Sequence, residues 1–292
     1  MTNTLTLRSH AKINLYLDVL DRRPDGFHNI ETVFQTVSLA DELTLAEAPS
    51  GVTLTCSRPD LDCGPANLVC RAAALLLART GCARGARIHL EKNIPVAAGL
   101  AGGSGNAAAA LDALNTLWKL ELTPAQLQAL GLELGSDVPY CLVGGTQGAT
   151  GRGEQLFPLP PVPETWCVLV HPPIQVSTAA VYNSPRLLRN TEQPSAGRTR
   201  TFQRALDALR AGDWAQAVFN RMESPVFELH PGLETLKCRL RETGCVAAAM
   251  SGSGPTVFGI CTSRERAERA AEALAPHATS VVKTVDSALC SV

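Results

Sequence analysis

The sequence lacks an excess of charge of either sign. Its 292 residues include 26 Lys and Arg against 27 Asp and Glu, which gives a formal net charge of −1. A protein that binds nucleic acid or an anionic membrane through its overall field needs a basic surplus, and this chain has none. We therefore expect a small-molecule partner, with neither nucleic acid nor a membrane.

Long apolar segments are also missing. No apolar run reaches the ~18 residues that a membrane-spanning helix needs, and the first segment, MTNTLTLRSH, lacks the basic and then apolar pattern of a secretory signal. These absences predict a cytoplasmic protein. A hydrophobic content of 45% and a charged content of 18% are typical of a soluble globular protein, and 292 residues suffice for two ordinary domains.

Closely spaced cysteine pairs are absent as well. Ten cysteines are present, yet no Cys-x-x-Cys occurs among them. Zinc sites and small disulfide scaffolds rely on such spacings. Cys56, Cys63 and Cys70 recur at intervals of seven residues. A metal site is one interpretation of this spacing, and reduced core or loop residues are the interpretation that we favour.

The most informative stretch is residues 92–118, KNIPVAAGLAGGSGNAAAALDALNTLW. The alternating residues 86–91 before its glycines predict a strand, and the apolar residues after them have helical spacing. Glycines between a strand and a helix let a ligand approach the backbone, and the free N–H groups of the first helical turn attract an anion. The pattern predicts a phosphate-binding loop, with a plain tight turn as the alternative.

Two common types of phosphate loop are excluded. No Lys follows the last glycine, and Ala101 stands where G-x-G-x-x-G requires its second glycine. A second helix, which begins at Thr123-Pro124, argues further against a Rossmann fold. The chain has only five Lys, none of them within the loop. We therefore expect backbone N–H groups, the helix end and a metal ion to meet the phosphate charge.

Three other positions are ambiguous on their own. Lys12 begins a predicted strand and is either a solvated edge residue or a functional cation. Phe27 and His28 follow a turn at residues 22–26, where they either anchor the chain or stack on and bond a flat ligand. Asp137 follows a Gly-Ser pair and precedes an apolar run, so it is either a helix N-cap or a positioned base.

The remaining periodicity predicts the order of the elements. Composition shifts at the proline-rich residues 158–163, so we place a domain boundary near residue 160. After it the pattern predicts the split βαβ order, β-α-β-β-α-β, and the small-residue loop 250–255 within it could lie over the first loop. The polar, Arg-bearing segment 189–200 predicts a mobile loop. The other predicted elements are strands at 4–7, 13–19, 30–39, 41–47, 51–55, 145–150, 165–171, 245–250, 256–261 and 279–285, and helices at 67–79, 123–134, 201–211, 213–222, 231–243 and 263–275.

Together these motifs resemble those of the GHMP small-molecule kinases. The resemblance spans essentially the whole chain, and its first motif is typical of the branch that acts on a cytidine diphosphate derivative. The matching segments are Ala11-Lys12-Ile13-Asn14-Leu15, Asp25-Gly26-Phe27-His28, residues 95–107, Leu134-Gly135-Ser136-Asp137-Val138-Pro139 and Met250-Ser251-Gly252-Ser253-Gly254.

The resemblance implies an α+β, two-domain GHMP kinase fold. The N-terminal ATP-binding α/β domain would span residues 1–160 and contain a left-handed βαβ unit. The C-terminal ferredoxin-like domain would span residues 161–292, and the active site would lie between the two domains. The sequence leaves the oligomeric state open between a monomer and a weak homodimer.

The resemblance also implies a reaction. ATP, with Mg²⁺, would phosphorylate the 2-hydroxyl of 4-diphosphocytidyl-2-C-methyl-D-erythritol, in the non-mevalonate route to isoprenoid precursors. Asp137 would accept the hydroxyl proton beside Lys12. The cytosine would lie between Phe27 and Tyr182 with His28 at its edge, and Asn14 and Thr178 would lie near the sugar alcohol and phosphates. The implied ATP-binding loop consists of Pro95, Val96, Ala97, Ala98, Gly99, Leu100, Ala101, Gly102, Gly103, Ser104 and Gly105, with Ser104 as a metal ligand.

The loop departs from the family pattern GLGGGSS at two positions. Ala101 adds a methyl group where the glycine of the family pattern allows a positive φ, and Gly105 removes one of two hydroxyls. Three alternatives therefore stay open: a GHMP kinase for a substrate such as mevalonate or homoserine, a nucleotide-binding protein of this fold without catalysis, and an RNA-binding protein that uses the Arg-bearing loop.

Overall fold

A computed structural model describes residues 4–195 and 197–292 of the chain. The elements up to residue 160 are β1 (Thr4–Arg22), β2 (His28–Ala48), β3 (Val52–Cys56), α1 (Leu68–Thr80), β4 (Gly85–Glu91), α2 (Gly102–Leu117), α3 (Pro124–Leu134), α4 (Val138–Val143), β5 (Thr146–Thr150) and β6 (Gln155–Pro158). The later elements are β7 (Trp166–His171), α5 (Thr178–Tyr182), α6 (Arg200–Arg210), α7 (Trp214–Ala217), β8 (Phe219–Asn220), α8 (Glu223–Leu229), α9 (Pro231–Glu242), β9 (Ala247–Met250), β10 (Val257–Cys261), α10 (Arg264–Ala273), β11 (Ala278–Lys283) and β12 (Leu289–Ser291).

Two features are absent from these ranges. No helix in the described part is both long and apolar enough to cross a membrane. Nor do three or more His, Cys, Asp or Glu side chains there form a group that could hold a metal ion, and the ten cysteines are free thiols. The metal interpretation of Cys56, Cys63 and Cys70 therefore gains no support.

The first sheet is built on a long hairpin. β1 pairs antiparallel with β2 along almost its full length, and the core of the sheet has the order β12-β1-β2-β4-β3. The sequence predicted two strands at 4–7 and 13–19, but β1 is continuous because a register shift between His10 and Ala11 bends it without ending it. The predicted strands 41–47 and 51–55, although consecutive in the chain, do not pair with each other. β3 pairs parallel with β4, since helix α1 carries the chain over the sheet in a βαβ crossover.

The hairpin lies in the middle of the molecule and is covered on both faces. Leu43 and Leu45 pack with the buried face of α2, while Ile13 and Leu15 pack with residues of the second sheet such as Leu169. Every β1 residue from 11 to 20 is consequently buried. The interpretation of Lys12 as a solvated edge residue is therefore wrong, because only 5% of its side chain is exposed.

The second sheet confirms the split βαβ prediction. Its order is β11-β7-β10-β9 with antiparallel pairs throughout, and all four strands follow residue 165. Two short segments return to the first sheet: β8 pairs parallel with β1, and β12 pairs antiparallel with β1. The predicted helix at 213–222 is wrong, because it stops at Ala217 and Phe219 packs against the Tyr16 ring at a centroid distance of 5.6 Å. A domain boundary near residue 160 stays a prediction.

The Arg-bearing segment 189–200 is tied to the hairpin at both of its ends. Asn190 donates a 2.9 Å hydrogen bond to the buried carboxylate of Asp18, and the Thr199 N–H donates to Glu31 at 2.7 Å. Residue 196 of the predicted loop and residues 1–3 of the predicted first domain lie outside the described ranges. The mobility of the segment stays a prediction.

His171 at the end of β7 is expected to make stability depend on pH. Burial lowers the pKa of its imidazole to about 4, against about 6.5 in an unfolded chain. Between these values the unfolded state binds more protons, so the free energy of unfolding should fall as the pH drops from about 6.5 toward 4. We expect His171→Gln to weaken this dependence in urea titrations at pH 7 and pH 5. The exposed His89→Gln is the control, and equal pH dependence in all three proteins would contradict the prediction.

Candidate active site

Two neighbouring cavities share the glycine-rich loop of residues 95–105. The first cavity has a volume of about 620 Å³ and lies between the hairpin, the loop, α5 and the 250–254 segment. The second has a volume of about 460 Å³ and lies between the loop and the start of α1. Four loop residues line both cavities: Ala97, Gly99, Ala101 and Ser104. A chemical group bound against the loop can therefore reach a ligand in either cavity.

The loop ends in the exposed start of helix α2. The helix begins at Gly102, and the N–H of Gly105 is the first to bond back to a carbonyl of the loop, that of Ala101. Helix geometry therefore leaves the N–H groups of Gly102, Gly103 and Ser104 without intrahelical acceptors. These three residues line the second cavity, so its wall offers backbone donors and the positive end of the helix dipole to an anion.

The second small-residue loop lies over the first, as the sequence suggested. The Ser251 hydroxyl donates to the Gly99 carbonyl at 2.9 Å, and the Thr256 N–H donates to the Ala98 carbonyl. Gly99 has a φ of +76°, and a Cβ added there would lie 2.2 Å from the Ser251 carbonyl oxygen. Only glycine fits at this position. The close contact lets the 250–254 segment, in the C-terminal half of the chain, hold the glycine-rich loop in place.

Ala101 adopts the positive φ that its position in the motif suggested. Its φ is 56°, in the left-handed region, and Ala97 has a similar φ of 53°. The loop therefore accepts two alanines in a conformation that favours glycine, at a cost in backbone strain. Nine of the eleven predicted loop residues line the second cavity: Pro95, Val96, Ala97, Ala98, Gly99, Ala101, Gly102, Gly103 and Ser104. The structure directs Leu100 into the core and Gly105 toward β1.

Gly105 allows close packing of α2 on β1. A Cβ at this position would lie 2.5 Å from the buried Ser9 hydroxyl, which has no hydrogen-bond partner. We expect Gly105→Ser to lower the free energy of unfolding by about 1–3 kcal/mol through overpacking, with little change in the KM for ATP. Chemical denaturation and steady-state kinetics would measure the two effects.

The double variant Ser9→Ala with Gly105→Ser is the matched control, since it removes the hydroxyl that the new Cβ would strike. Restored stability in the double variant is expected. A Gly105→Ser protein with wild-type stability and a changed KM for ATP would contradict this account, because it would mean that position 105 faces the bound nucleotide.

Lys12 and Asp137 meet where the first cavity touches the loop. The Lys12 Nζ lies 3.8 Å from an Asp137 carboxylate oxygen, beyond direct hydrogen-bond distance. Lys12 donates instead to the Asn14 amide oxygen at 2.6 Å, and its backbone N–H donates to the Leu100 carbonyl. The ammonium therefore keeps donors for a ligand, and a hydroxyl can bond to both charged groups at once.

Asn14 fixes the lysine from within the hairpin. Its amide nitrogen donates to Thr32 at 2.9 Å, and the Thr32 hydroxyl donates to the Tyr16 carbonyl at 2.6 Å. The Lys12 ammonium also lies 5.5 Å from the centroid of the Phe34 ring. These contacts hold a desolvated cation in one place, which suits the stabilisation of charge that develops during a reaction.

Asp137 immediately precedes the short helix α4. It occupies the N-cap position, but its side chain makes no capping hydrogen bond, and 35% of the side chain is exposed. The capping role that the sequence left open is therefore absent. Asp137 lines the first cavity with its carboxylate oxygens available to a ligand.

The predicted aromatic residues cluster around the other part of the first cavity, with one difference in arrangement. His28 stacks on Tyr182, with a centroid distance of 5.2 Å and an interplanar angle of 16°. Phe27 is 51% exposed and carries the Arg152 guanidinium over its ring. The structure therefore brings all three rings to one cavity, but it pairs Tyr182 with His28 and not with Phe27.

Electrostatics favour a neutral His28. Burial lowers the pKa of its imidazole, and the nearby cations Arg189 and Arg22 lower it further. A neutral imidazole offers one donor and one acceptor, which suits the edge of a nucleobase. Thr178 completes this side of the cavity, where its hydroxyl lies 2.6 Å from that of Ser253.

The sequence did not indicate several residues that line the two cavities. The Asn106 amide oxygen is buried without a hydrogen-bond partner and lines the second cavity, where it can accept from a ligand. Asn67 lines the same cavity while its side chain caps α1. Arg152, Val176 and Met222 line the first cavity. Only Asn106 had a sequence signal, its place directly after the last glycine.

A buried ion pair supports the base of the loop. Lys92 and Asp41 are 2.6 Å apart, and Asp41 also accepts from the N–H groups of Asn93 and Ile94 at 2.8 Å. Burial lowers the pKa of the Lys92 ammonium, and the Asp41 carboxylate opposes that shift. One of the five lysines thus serves to fix the turn that leads into the loop.

Comparisons with known proteins agree with this geometry. The family model of the GHMP kinases N terminal domain matches residues 67–145, and that of the GHMP kinases C terminal matches residues 196–278, together more than half of the chain. A 4-diphosphocytidyl-2-C-methyl-D-erythritol kinase from Moorella thermoacetica is 47% identical over 279 residues, which cover 93% of this chain and 95% of that protein.

Solved structures agree in fold. A crystal structure of 4-(cytidine 5'-diphospho)-2C-methyl-D-erythritol kinase matches with a TM-score of 0.81 and 37% identity, over 96% of this chain and 99% of that one. A homoserine kinase from Cytophaga hutchinsonii matches with a TM-score of 0.77 at 20% identity, over 100% of this chain and 98% of that one, and therefore shares the fold alone. With its two cavities joined at a glycine-rich loop and these matches along its length, the chain belongs to the GHMP kinase family.

Proposed function

We propose that the chain is an ATP-dependent kinase that phosphorylates the 2-hydroxyl of 4-diphosphocytidyl-2-C-methyl-D-erythritol in the non-mevalonate route to isoprenoid precursors. The observation that carries the proposal is a single cavity with Lys12 and Asp137 at one part of its wall and Phe27, His28 and Tyr182 at another. A cluster of aromatic rings can stack on a cytosine, whereas it offers no comparable contact to a small aliphatic acid. The names of the relatives support the same substrate.

In this proposal the loop positions the nucleotide. ATP occupies the second cavity, and its phosphates lie against the N–H groups at the start of α2. The substrate occupies the first cavity, with its acceptor hydroxyl between Lys12 and Asp137. Phosphoryl transfer depends mainly on such positioning and on neutralised charge.

The two charged residues have separate roles in the transfer. Asp137 accepts the proton of the 2-hydroxyl as the oxygen attacks the terminal phosphorus of ATP, and the bond between that phosphorus and ADP breaks. Lys12 donates to the transferring phosphoryl oxygens through the donors that Asn14 leaves free. The products are ADP, the 2-phosphorylated substrate and one proton held first by Asp137.

The donor set fits Mg²⁺ held chiefly by the nucleotide. Mg²⁺ is usually bound through one or two carboxylates together with substrate phosphates. Ser104 lines both cavities where they meet, so its hydroxyl would contact an ion held by the nucleotide phosphates. Bound there, the ion would neutralise phosphate charge. Ser104 is accordingly the residue that we propose as its protein contact, and Asp137 keeps the role of base.

The recognition of cytosine requires a rearrangement of rings. We propose that the base enters between Phe27 and Tyr182 and separates Tyr182 from His28, whose neutral imidazole then bonds the base edge. The 51% exposure of Phe27 supports this, since an exposed ring next to the cavity has a face available for stacking.

A coupled assay of ADP release tests the proposal. The purified chain is offered Mg-ATP with the cytidyl substrate, with mevalonate and with homoserine, each in turn. We expect turnover with the cytidyl substrate alone. Turnover with mevalonate and none with the cytidyl compound would replace the proposed substrate, and ATP binding without turnover of any acceptor would favour a non-catalytic protein. Strongly salt-dependent binding of RNA would favour the third alternative.

A further inference from the structure

Arg152 has a position in the first cavity that the proposed mechanism does not use. It lies in the turn between β5 and β6, and its guanidinium carbon is 4.3 Å from the centroid of the Phe27 ring. Its side chain lines the cavity and is half-buried. No hydrogen bond or ion pair of that side chain to another described residue is found, while the nearby Asp25 is already paired with Arg23 at 3.0 Å.

The charged side chains of the first cavity indicate what Arg152 can bind. Among the described residues that line the first cavity, Lys12 and Arg152 are the Lys and Arg side chains. Lys12 is bonded to Asn14 and faces Asp137. A guanidinium with five N–H donors and no protein acceptor can donate to a ligand in the cavity, in place of water.

We propose that Arg152 is a substrate-binding residue for the nucleoside diphosphate part of the acceptor, an inference that rests on the proposed function. Its guanidinium plane backs one face of Phe27 and leaves the opposite face to the pyrimidine. Its N–H groups donate to diphosphate oxygens, for which the planar guanidinium is well suited. Arg152 thereby links the recognition of the base to that of the phosphates.

Steady-state kinetics of Arg152→Gln tests the inference. We expect the KM for the cytidyl substrate to rise about tenfold, as for the loss of a charge-assisted hydrogen bond, with kcat and the KM for ATP close to those of the wild type. Arg152→Lys, which keeps the charge without the planar fork, should fall between the two. Arg198→Gln is the matched control, because Arg198 stacks on Phe157 at 3.9 Å yet lines neither cavity.

Binding of CDP and of cytidine then separates contact with phosphate from support of the ring. Arg152→Gln should weaken CDP binding about tenfold and leave cytidine binding nearly unchanged. Equal weakening of both ligands would overturn the diphosphate contact, and so would an unchanged KM for the cytidyl substrate. A wild-type chain that does not turn over that substrate would instead refute the proposed function.

Discussion

Replacing Asp137 with Asn is expected to lower kcat for the cytidyl substrate by about 10³-fold, the usual range for loss of a positioned base. The amide keeps the size of the carboxylate but cannot accept the hydroxyl proton at neutral pH. The side chain makes no capping hydrogen bond with α4, and its 3.8 Å contact with the Lys12 ammonium is beyond hydrogen-bond distance, so the substitution removes little structural support. We therefore expect the free energy of unfolding and the affinity for ATP to stay near their wild-type values.

The measurement is a coupled ADP-release assay together with equilibrium binding of ATP. Asp207→Asn provides the control, since Asp207 is a largely exposed residue of α6 that lines neither cavity. A kcat within tenfold of the wild type in Asp137→Asn would remove the carboxylate from the role of base. Loss of ATP binding in this variant would show that Asp137 acts in the ground state and not in the transfer step.

The elements that sequence could predict are those with strong local signals. The predicted helices at 67–79 and 123–134 form with Asn67 and Thr123 as their N-caps, and Thr123 also forms a capping box with Gln126. The strand-loop-helix around residues 92–118 was predicted from periodicity and glycine placement alone. Local chemistry determines such features, so they do not depend on the rest of the chain.

The predictions from sequence failed where contacts with distant segments determine the local structure. The alternation of polar residues in β1 indicated a solvated face, yet distant segments bury Lys12 and Asn14: Asp137 lies 3.8 Å from the Lys12 ammonium, and the Ser251 hydroxyl accepts from the Asn14 backbone N–H. The segment after Ala217 has helical composition, but pairing with β1 makes Phe219 and Asn220 a strand. The residue pattern within each segment does not indicate these distant partners.

The residues of the site fall into the same two groups, those with a local sequence signal and those without one. Motifs predict Lys12, Asp137 and the loop as site residues, because each has a recognisable neighbourhood in sequence. Asn106 and Arg152 become visible only through burial without a partner and through stacking on Phe27. A sequence pattern can indicate which groups perform a reaction, while the groups that line a cavity emerge only when the fold brings them together.

Replacing Lys12 with Met is expected to lower kcat/KM by about 10²–10³-fold, as for removal of one preorganised charge donor. Only 5% of the Lys12 side chain is exposed, so water cannot easily take the place of the ammonium beside the transferring phosphoryl group. The change also leaves the Asn14 amide oxygen without its 2.6 Å donor, which should cost about 1–3 kcal/mol of stability. Retained ATP binding would show that the variant is folded when its kinetics are measured.

Lys283→Met is the matched control for Lys12→Met, because its ammonium pairs with Glu164 at the surface. A double variant of Lys12→Met with Asp137→Asn adds a sharper test. If both residues act in the same transfer step, the loss in the double variant should be much smaller than the product of the two single losses. Losses that multiply would mean that the two charges, although 3.8 Å apart, act independently in the reaction.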